Sequence, residues 1–266
     1  MVHRVIVTSD SDRFQDWLRV AFEARQRDAE TISMGPFRAV VTRDHDGHAE
    51  AWVTLVDRDA TEAEAVRSIA NLRSAFAKQD IGIEVEYDEV AFPAAGPWLE
   101  QTGLARASVN PLMACRPSSF VPVAATEVSL TRLSQHTKTA ELEAFQAIRW
   151  SDGGDIVRQV PLPPRIELLR VDLKVATSVY LLAWLDWEPV GTGVLHATGN
   201  TGEIVGVVTR NDKRRRGVAS AVTSELVTRH FHLGGDFVFL DAANEAASRV
   251  YQRLGFIRFG TIVIYR

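Results

Sequence analysis

Hydrophobic and polar positions alternate with two different periods in the first 115 residues, which predicts a mixture of helices and strands. Asp44 and Gly47 lie in a short polar stretch between two apolar runs, a pattern typical of a β-hairpin. Thr61 followed by Glu64 has the spacing of a capping box at a helix start. The predicted strands are 4–8, 37–43, 49–56 and 81–88, and the predicted helices are 11–27, 61–78 and 93–102.

The second half of the chain predicts a three-stranded meander followed by alternating helices and strands. Breakers around 151–154 and 161–164 separate two early helices, and Gly234 and Gly235 end a later one. The predicted strands are 127–133, 178–187, 190–197, 203–209, 237–240 and one or two within 256–265. The predicted helices are 139–148, 165–174, 218–232 and 244–254.

Composition limits the classes of protein that this chain can represent. Its 266 residues suit one large or two ordinary domains, and a 46% apolar fraction provides sizeable cores. A net charge of −4 disfavours a general nucleic-acid binder. The single cysteine, Cys115, excludes an internal disulfide and a multi-cysteine metal site, and we expect no metal. The sequence contains no signal-like leader and no run long enough to span a membrane, so we expect a cytoplasmic protein without a membrane partner.

The most informative stretch is Arg214-Arg-Arg-Gly-Val-Ala219. It lies between the apolar run 204–209 and the helix predicted from Val218. A basic turn that contains glycine at a helix start favours anion binding, because unpaired N–H groups and the positive end of the helix dipole meet there. Gly217 allows close approach of a ligand to the backbone. Taken alone, such a turn is more often a solvated surface.

A second motif follows at Asn244, Ala247, Tyr251, Gly255 and Phe256. Together with Arg214, Gly217 and Ala219, it resembles the pyrophosphate loop and the later helix of the Gcn5-related N-acetyltransferase (GNAT) superfamily, in the family's order and spacing. The resemblance covers roughly residues 126–266. The loop departs from the common pattern at Arg215, where many members have glycine, and at Ala219, which replaces a second glycine.

The resemblance implies an α/β (α+β) fold of two GNAT-like domains, each with a central mixed, mostly antiparallel sheet flanked by helices. We predict a degenerate domain at 1–115, a linker at 116–125 and a catalytic domain at 126–266. The first domain follows the order of the second when Gly103 is aligned with Gly255, but its corresponding loop, 57–64, is acidic and would repel a pyrophosphate. An unrelated α/β domain is the alternative for this half.

The resemblance also assigns the cofactor-binding residues. Backbone groups of Val207, Val208 and Thr209 would pair with the pantetheine arm of acetyl-CoA, and Asn244 would contact the same arm or cap its helix. The pyrophosphate would be held by backbone N–H groups and side chains of the turn, namely Arg214, Arg215, Arg216, Gly217, Val218, Ala219 and Ser220. An ordinary core strand equally explains the valines.

Two residues match the family's catalytic positions. Glu203, eleven residues before Arg214, resembles the general base, which is needed because a free alkylamine is protonated at neutral pH. A strand-end surface glutamate, an ordered water and His196 are the alternatives. Tyr251 resembles the residue that protonates or hydrogen-bonds the departing thiolate, with a core-edge aromatic as its alternative.

The function implied is direct transfer of an acetyl group from acetyl-CoA to a primary amine, on a small molecule or a peptide. A non-catalytic acyl-CoA sensor is the alternative, and a purely structural domain leaves the basic turn unexplained. We expect the acceptor pocket within 141–164, where Trp150, Asp152 and Asp155 are candidates for binding a cationic amine. The sequence leaves the acceptor and a homo-oligomeric state open.

Overall fold

A computed structural model describes residues 30–43, 49–123, 127–151 and 162–266 of the chain. The predicted strand 4–8, the helix 11–27 and the turn at Asp44–Gly47 lie outside these residues. The chain forms two compact units. The first contains the described residues up to Leu112 together with Asp241–Asn244 and Arg258–Arg266, and the second contains Met113–Leu240 and Glu245–Ile257.

The first unit is built on six described strands and two described helices. The elements are β1 (Glu30–Met34), β2 (Phe37–Arg43), β3 (Ala49–Leu55), α1 (Glu62–Ala77), β4 (Gly82–Asp88), α2 (Ala95–Gln101), β5 (Arg106–Cys115) and β11 (Ile257–Tyr265). The strand order is β1-β2-β3-β4-β11-β5. Strands β3 and β4 are parallel, whereas β1–β2, β2–β3 and β4–β11 pair antiparallel.

The end of the chain therefore lies in the first unit and not in the second. Val263 pairs with Tyr87 of β4, and Val263 and Tyr265 are fully buried in the core formed by α1, α2 and the surrounding strands. The last residues of the predicted range 126–266 thus belong to the first compact unit, where β11 pairs antiparallel with β4. The described residues of the predicted linker 116–125 belong to the second unit, and Val123 N donates to Ser224 Oγ at 2.9 Å. The bounds of the two domains and of the linker stay predictions.

The second unit contains a five-stranded sheet and four described helices. The elements are β6 (Ser129–Arg132), α3 (Thr139–Ser151), α4 (Leu162–Asp172), β7 (Ser178–Leu185), β8 (Glu188–Thr198), β9 (Thr201–Thr209), a short 3-10 turn (Asn211–Lys213), α5 (Val218–His232), β10 (Phe237–Asp241) and α6 (Glu245–Arg253). The strand order is β10-β9-β8-β7-β6. Strands β6 to β9 are antiparallel, as predicted for the meander, and β9–β10 is parallel.

Helices cover both faces of this sheet. Leu142 and Phe145 of α3 and Leu169 of α4 pack against Leu182 and Val194 on one face. Helix α5 lies on the other face, where a Cβ placed on Gly193 would approach Val222 to 2.3 Å. Glycine in β8 therefore lets α5 pack close to the strand. Apolar residues at helical spacing on α3 and α5 explain why these segments are helices with one buried side.

The two halves of the chain repeat the same succession of strand, helix, parallel strand, helix and strand. In the first half these are β3, α1, β4, α2 and β5, and in the second half they are β9, α5, β10, α6 and β11. Gly103 and Gly255, which the sequence alignment pairs, both have left-handed backbones, with φ of 78° and 89°.

The hydrogen bonds at these two helix ends also correspond. Thr102 N donates to Leu99 O as Leu254 N donates to Tyr251 O, and Gly103 N donates to Glu100 O as Gly255 N donates to Gln252 O. A left-handed glycine is a common helix terminator, and here it terminates equivalent helices in both units. The internal repeat is therefore present in the fold as well as in the sequence.

Candidate functional site

Strand β9 loses one neighbour part-way along its length. It pairs with β10 only from Thr201 to Glu203, and the last of these pairs is Glu203 with Phe239. Beyond that point the described pairing of β9 continues on the β8 side alone, as far as Thr209 opposite Gly191. The candidate pantetheine-binding residues Val207, Val208 and Thr209 lie in this segment and are half-buried.

A β-bulge interrupts β9 at the same place. Thr192 pairs with Val208 and Val194 pairs with Val205, so β9 has two residues where β8 has one. One of the two, Gly206, has a φ of 59°, and its carbonyl oxygen accepts a hydrogen bond of 3.0 Å from Thr192 Oγ1. Bulges of this kind redirect a strand and are frequent beside active sites.

The guanidinium of Arg149, near the end of α3, lies directly over this bulge. A Cβ placed on Gly206 would be 2.8 Å from Arg149 Nη1 and 3.0 Å from Cζ. Because Gly206 also has a positive φ, a larger residue would be strained there and would displace the guanidinium. Strand β9 therefore presents its backbone at the bulge to the half-buried side chain of Arg149.

The basic turn after β9 adopts a backbone that favours anion binding. Gly217, which immediately precedes α5, has φ 79° and ψ 2°, and Arg215 has φ 63°. Arg215 thus takes the left-handed conformation at the position where the family commonly has glycine. Alternation between left-handed and ordinary residues directs successive N–H groups toward one point, an arrangement that binds anions.

The N-terminus of α5 is left without a side-chain cap among the described residues. Its first turn, Val218–Ala221, contains no acidic residue, and a Cβ placed on Gly217 would meet nothing within 4 Å. The N–H groups of Val218, Ala219 and Ser220 start a helix and have no carbonyl of a preceding turn to bind. An anion can approach this end without displacing a side chain.

The equivalent end of α1 in the first unit is closed. Thr61 Oγ1 accepts a hydrogen bond of 3.3 Å from Glu64 N, which confirms the capping interaction predicted there. Glu62 and Glu64 place negative charge in the first turn. Where α5 presents an uncapped end beside arginines, α1 presents a capped and acidic one.

The three arginines of the turn have different surroundings. Arg216 forms ion pairs with Asp186 at 3.3 Å and with Glu127 at 3.5 Å. Arg214 and Arg215 are exposed. These ion pairs direct the guanidinium of Arg216 toward carboxylates.

Glu203 is buried on β9 and lies opposite His196 of β8. Directly opposed residues of an antiparallel pair project to the same face. The Nδ1 atom of His196 shares a hydrogen bond of 2.9 Å with Ser178 Oγ, and its ring packs edge-on against Tyr180. Only 5% of the surface of Glu203 is exposed. The alternative that Glu203 is a strand-end surface glutamate is therefore wrong.

A pocket of about 280 Å³ opens on this face between α3, α4 and the strands β7 and β8. Its polar lining is Gln146, Arg149, Asp172, Tyr180 and His196, and its apolar lining includes Phe145, Trp150 and Leu169. Trp150 Nε1 donates to Gln146 Oε1 at 3.1 Å. Asp152 and Asp155, the other acceptor candidates, lie outside the described residues.

Burial dominates the electrostatics of the pocket. It raises the pKa of Tyr180 to about 12, so this hydroxyl stays protonated at neutral pH. Burial raises the pKa of the Asp172 carboxyl, and the positive charge of Arg149 acts in the opposite direction. Burial lowers the pKa of Arg149, with Tyr180 and Asp172 opposing that effect, but a guanidinium remains charged.

Tyr251 is buried near the end of α6, and its ring centroid lies 5.9 Å from that of Phe256. Asn244 is an exposed residue immediately before the same helix. The sequence motif thus falls on a helix and its two boundaries, as predicted. The catalytic and cofactor-binding roles assigned to these two residues stay predictions.

Comparison with known proteins places a family domain on part of the chain. The model of the acetyltransferase (GNAT) family matches residues 142–256. This segment of the chain is a GNAT domain. It contains the bulged strand β9, the basic turn, α5 and the motif of α6. No curated protein matches the sequence.

Solved structures resemble the whole chain as well as the GNAT domain. A GCN5-related N-acetyltransferase from Kribbella flavida has a TM-score of 0.72 at 23% identity, with 94% of each chain covered. One from Sphaerobacter thermophilus has a TM-score of 0.64 at 16% identity, covering 86% of this chain and 76% of that one. A tandem GNAT protein from the clavulanic acid biosynthesis pathway has a TM-score of 0.60 at 13% identity, covering 98% and 96%. The fold is therefore that of two GNAT-like domains.

Two residues of the candidate site lie outside the sequence motifs. Arg149 belongs to neither motif, and the sequence indicates His196 only as an alternative base to Glu203. Arg149 follows Leu142 by seven residues and Phe145 by four, so it falls on the apolar side of α3. A cation at a core-facing helical position was the available signal.

None of the described helices is long and apolar enough to cross a membrane.

Proposed function

We propose that this protein is an acetyl-CoA-dependent N-acyltransferase whose active site lies in the GNAT domain. The observation that carries the proposal is the basic, left-handed turn in front of the uncapped end of α5, next to a strand that loses its partner beyond Glu203. Phosphate oxygens need N–H donors and positive charge, and this turn offers both. We also propose a cytoplasmic location, where acetyl-CoA is formed and used.

The residues present fit the cosubstrate. The space over Gly217 accommodates a pyrophosphate, with N–H groups of Val218, Ala219 and Ser220 and the side chains of Arg214 and Arg215 as donors. Val207, Val208 and Thr209 offer backbone groups for pantetheine on the side of β9 that faces away from β8. Asn244 remains the proposed additional contact. The cosubstrate would supply a thioester carbonyl carbon as the electrophile.

The proposed reaction proceeds in one ternary complex. Glu203 removes a proton from the acceptor ammonium, directly or through a water, and the free amine forms a C–N bond as the thioester C–S bond breaks. A backbone N–H near the bulge polarises the carbonyl oxygen. Tyr251 donates a hydrogen bond or a proton to the leaving sulfur. The amine loses one more proton to solvent, so the products are an amide and the free thiol.

A covalent acyl-cysteine is not needed and is disfavoured by the surroundings of Cys115. This thiol lies on β5 and is 1% exposed. Burial raises the pKa of Cys115, which disfavours the reactive thiolate. We therefore propose direct transfer.

Thiol release from acetyl-CoA tests the proposal. We expect release that depends on a primary amine, with an equimolar N-acetylated amine detected by mass spectrometry. The matched control is the same assay with the tertiary amine analogue of each acceptor, which cannot form a stable amide. CoA binding without amine-dependent release across a broad panel of amines would favour the non-catalytic sensor instead.

A further inference from the structure

The pocket on the α3 and α4 face contains a positive charge that the proposed chemistry does not use. Arg149 Nη1 is fully buried and has no hydrogen-bond partner among the described residues. A guanidinium has five N–H donors and cannot be neutralised at physiological pH. A buried charged donor without a partner is costly, so its retention calls for a partner that arrives with a ligand.

We propose that Arg149 binds a carboxylate of the acceptor, so that the acceptor is a small α-amino acid. The proposal rests on the proposed acetyl transfer, because it assigns the second substrate of the same site. The planar fork of an arginine matches the two oxygens of a carboxylate. Neighbouring groups line the rest of a pocket whose volume, about 280 Å³, suits one small molecule.

The position of Arg149 determines which amine can react. Its guanidinium contacts Gly206, at the bulge of the strand that is proposed to hold the thioester. A carboxylate bound there must be close to the reacting nitrogen. In an α-amino acid the two groups are separated by a single carbon atom, whereas a terminal amine on a long chain would lie far from the bulge.

Charge balance favours a carboxylate over a phosphate. Arg149 is the cation that lines the described part of the pocket, and the Asp172 carboxyl lines it too. A phosphate carries up to two negative charges and would face Asp172 with only one arginine in compensation. A carboxylate carries one charge and also leaves Asp172 as a contact for the ammonium of the incoming amino acid.

Matched acceptors test this assignment. We would measure thiol release with L-leucine and L-phenylalanine, each beside its carboxamide and its decarboxylated amine, and with aminomethylphosphonate. Wild-type protein should favour the acids over the amides by about ten- to hundredfold in kcat/KM, as expected for loss of a charged hydrogen bond. Arg149→Met should remove that preference by lowering kcat/KM far more for the acids than for the amides, and Arg149→Lys should keep part of it.

A control variant distinguishes the loss of the proposed carboxylate contact from the effect of removing an arginine elsewhere in the domain. Arg229→Met changes an arginine of α5 that pairs with Glu225 and does not line the pocket. It should leave the acid preference unchanged. Three results would overturn the proposal: equal use of acids and amides, a preference for the phosphonate, or equal losses of kcat/KM for both acceptor types in Arg149→Met. None of these results would contradict the proposed acetyl transfer.

A binding measurement covers the case in which none of these amines is acetylated. N-acetyl-L-leucine should raise the melting temperature of the CoA-saturated protein more than N-acetyl-L-leucinamide, and Arg149→Met should abolish the difference. Failure of the acid to bind would overturn the carboxylate assignment. Binding without any turnover would instead contradict the proposed enzymatic function.

Discussion

Glu203 of β9 lies directly opposite His196 of β8, and both side chains project to the face where α3 and α4 pack. His196 lines the pocket beside Arg149, and Glu203 is the last residue of β9 that pairs with β10. The candidate base therefore lies at the point where β9 separates from its neighbour. The opposed pair connects the proposed cofactor strand to the proposed acceptor pocket.

Replacing the carboxylate of Glu203 should separate catalysis from binding. We expect Glu203→Gln to lower turnover while CoA affinity stays nearly unchanged. The rise of the rate with increasing pH should flatten, because the group that becomes a proton acceptor as pH rises has been removed. The measurement is a pH–rate profile beside a CoA titration.

His196→Asn is the matched comparison for that experiment. It removes the titrating ring that faces Glu203 but keeps a hydrogen-bonding side chain. A profile that stays intact in Glu203→Gln and flattens in His196→Asn would transfer the role of base to the histidine. Intact profiles in both variants would favour a water relay.

Removing the hydroxyl of Tyr251 should slow the release of sulfur. The ring packs against Phe256, and this packing survives in Tyr251→Phe, so stability should fall little. Losing one hydrogen bond to an anionic sulfur corresponds to roughly a ten- to hundredfold drop in turnover. Affinity for acetyl-CoA should change much less, because the thioester sulfur is a poor acceptor before it carries charge.

Single-turnover thiol release and a CoA titration on the same variant distinguish the possible outcomes. A rate equal to that of the wild type would make Tyr251 a core residue. Equal losses in rate and in affinity would assign it to positioning of the cofactor.

The sequence predicted the helices and strands of the second unit well, because their apolar periodicity is strong and glycines mark their ends. Helix α5 was predicted with its observed bounds, Val218–His232. Strand β5 was not predicted. It contains Asn110 and Pro111, which disfavour a strand interior, and tertiary pairing overrides that local preference.

The candidate site was only partly accessible from the sequence. Local motifs indicated the turn at 214–219, because a short segment of chain forms it. The pocket is formed by α3, α4, β7 and β8, which are distant in sequence. The proximity of Arg149 to Gly206 therefore could not be predicted from the sequence. The location of β11 in the first unit likewise follows from long-range strand pairing and not from any local pattern.

Backbone strain at Arg215 gives a prediction about stability. A left-handed conformation costs an ordinary L-residue roughly 1–2 kcal/mol, and glycine loses about 0.5–1 kcal/mol through its greater freedom in the unfolded chain. Arg215→Gly should therefore stabilise the fold by up to about 1 kcal/mol in denaturant unfolding.

Arg214→Gly is the control, because Arg214 has an ordinary φ of −64° and gains no relief. It should be slightly destabilising. CoA affinity should fall modestly in both variants, with a dependence on salt, since each loses a charge near the phosphate site. Equal effects of the two substitutions on stability would contradict the role assigned to the positive φ at Arg215.

Packing of β11 into the first unit predicts a local effect on stability. Val263 is fully buried, and Val263→Ala should cost roughly 1.5–3 kcal/mol of unfolding free energy. Hydrogen exchange should accelerate in Val85–Asp88 of β4, which pairs with β11. Ile257→Ala, at the 51% exposed start of the same strand, should change stability by less than about 0.5 kcal/mol. Faster exchange in α5 but not in β4 would contradict this assignment.

A calorimetric titration with CoA tests the central claim most directly, namely that only the GNAT domain binds the cofactor. The account predicts one site per chain, because α5 has an open, basic N-terminus and α1 has a capped, acidic one. Gly217→Val should weaken binding at least about tenfold, since valine cannot easily adopt a φ of 79° and its side chain would enter the phosphate space. Two equivalent sites, or a single site unaffected by Gly217→Val and mapped by hydrogen exchange to residues 57–64, would contradict the account.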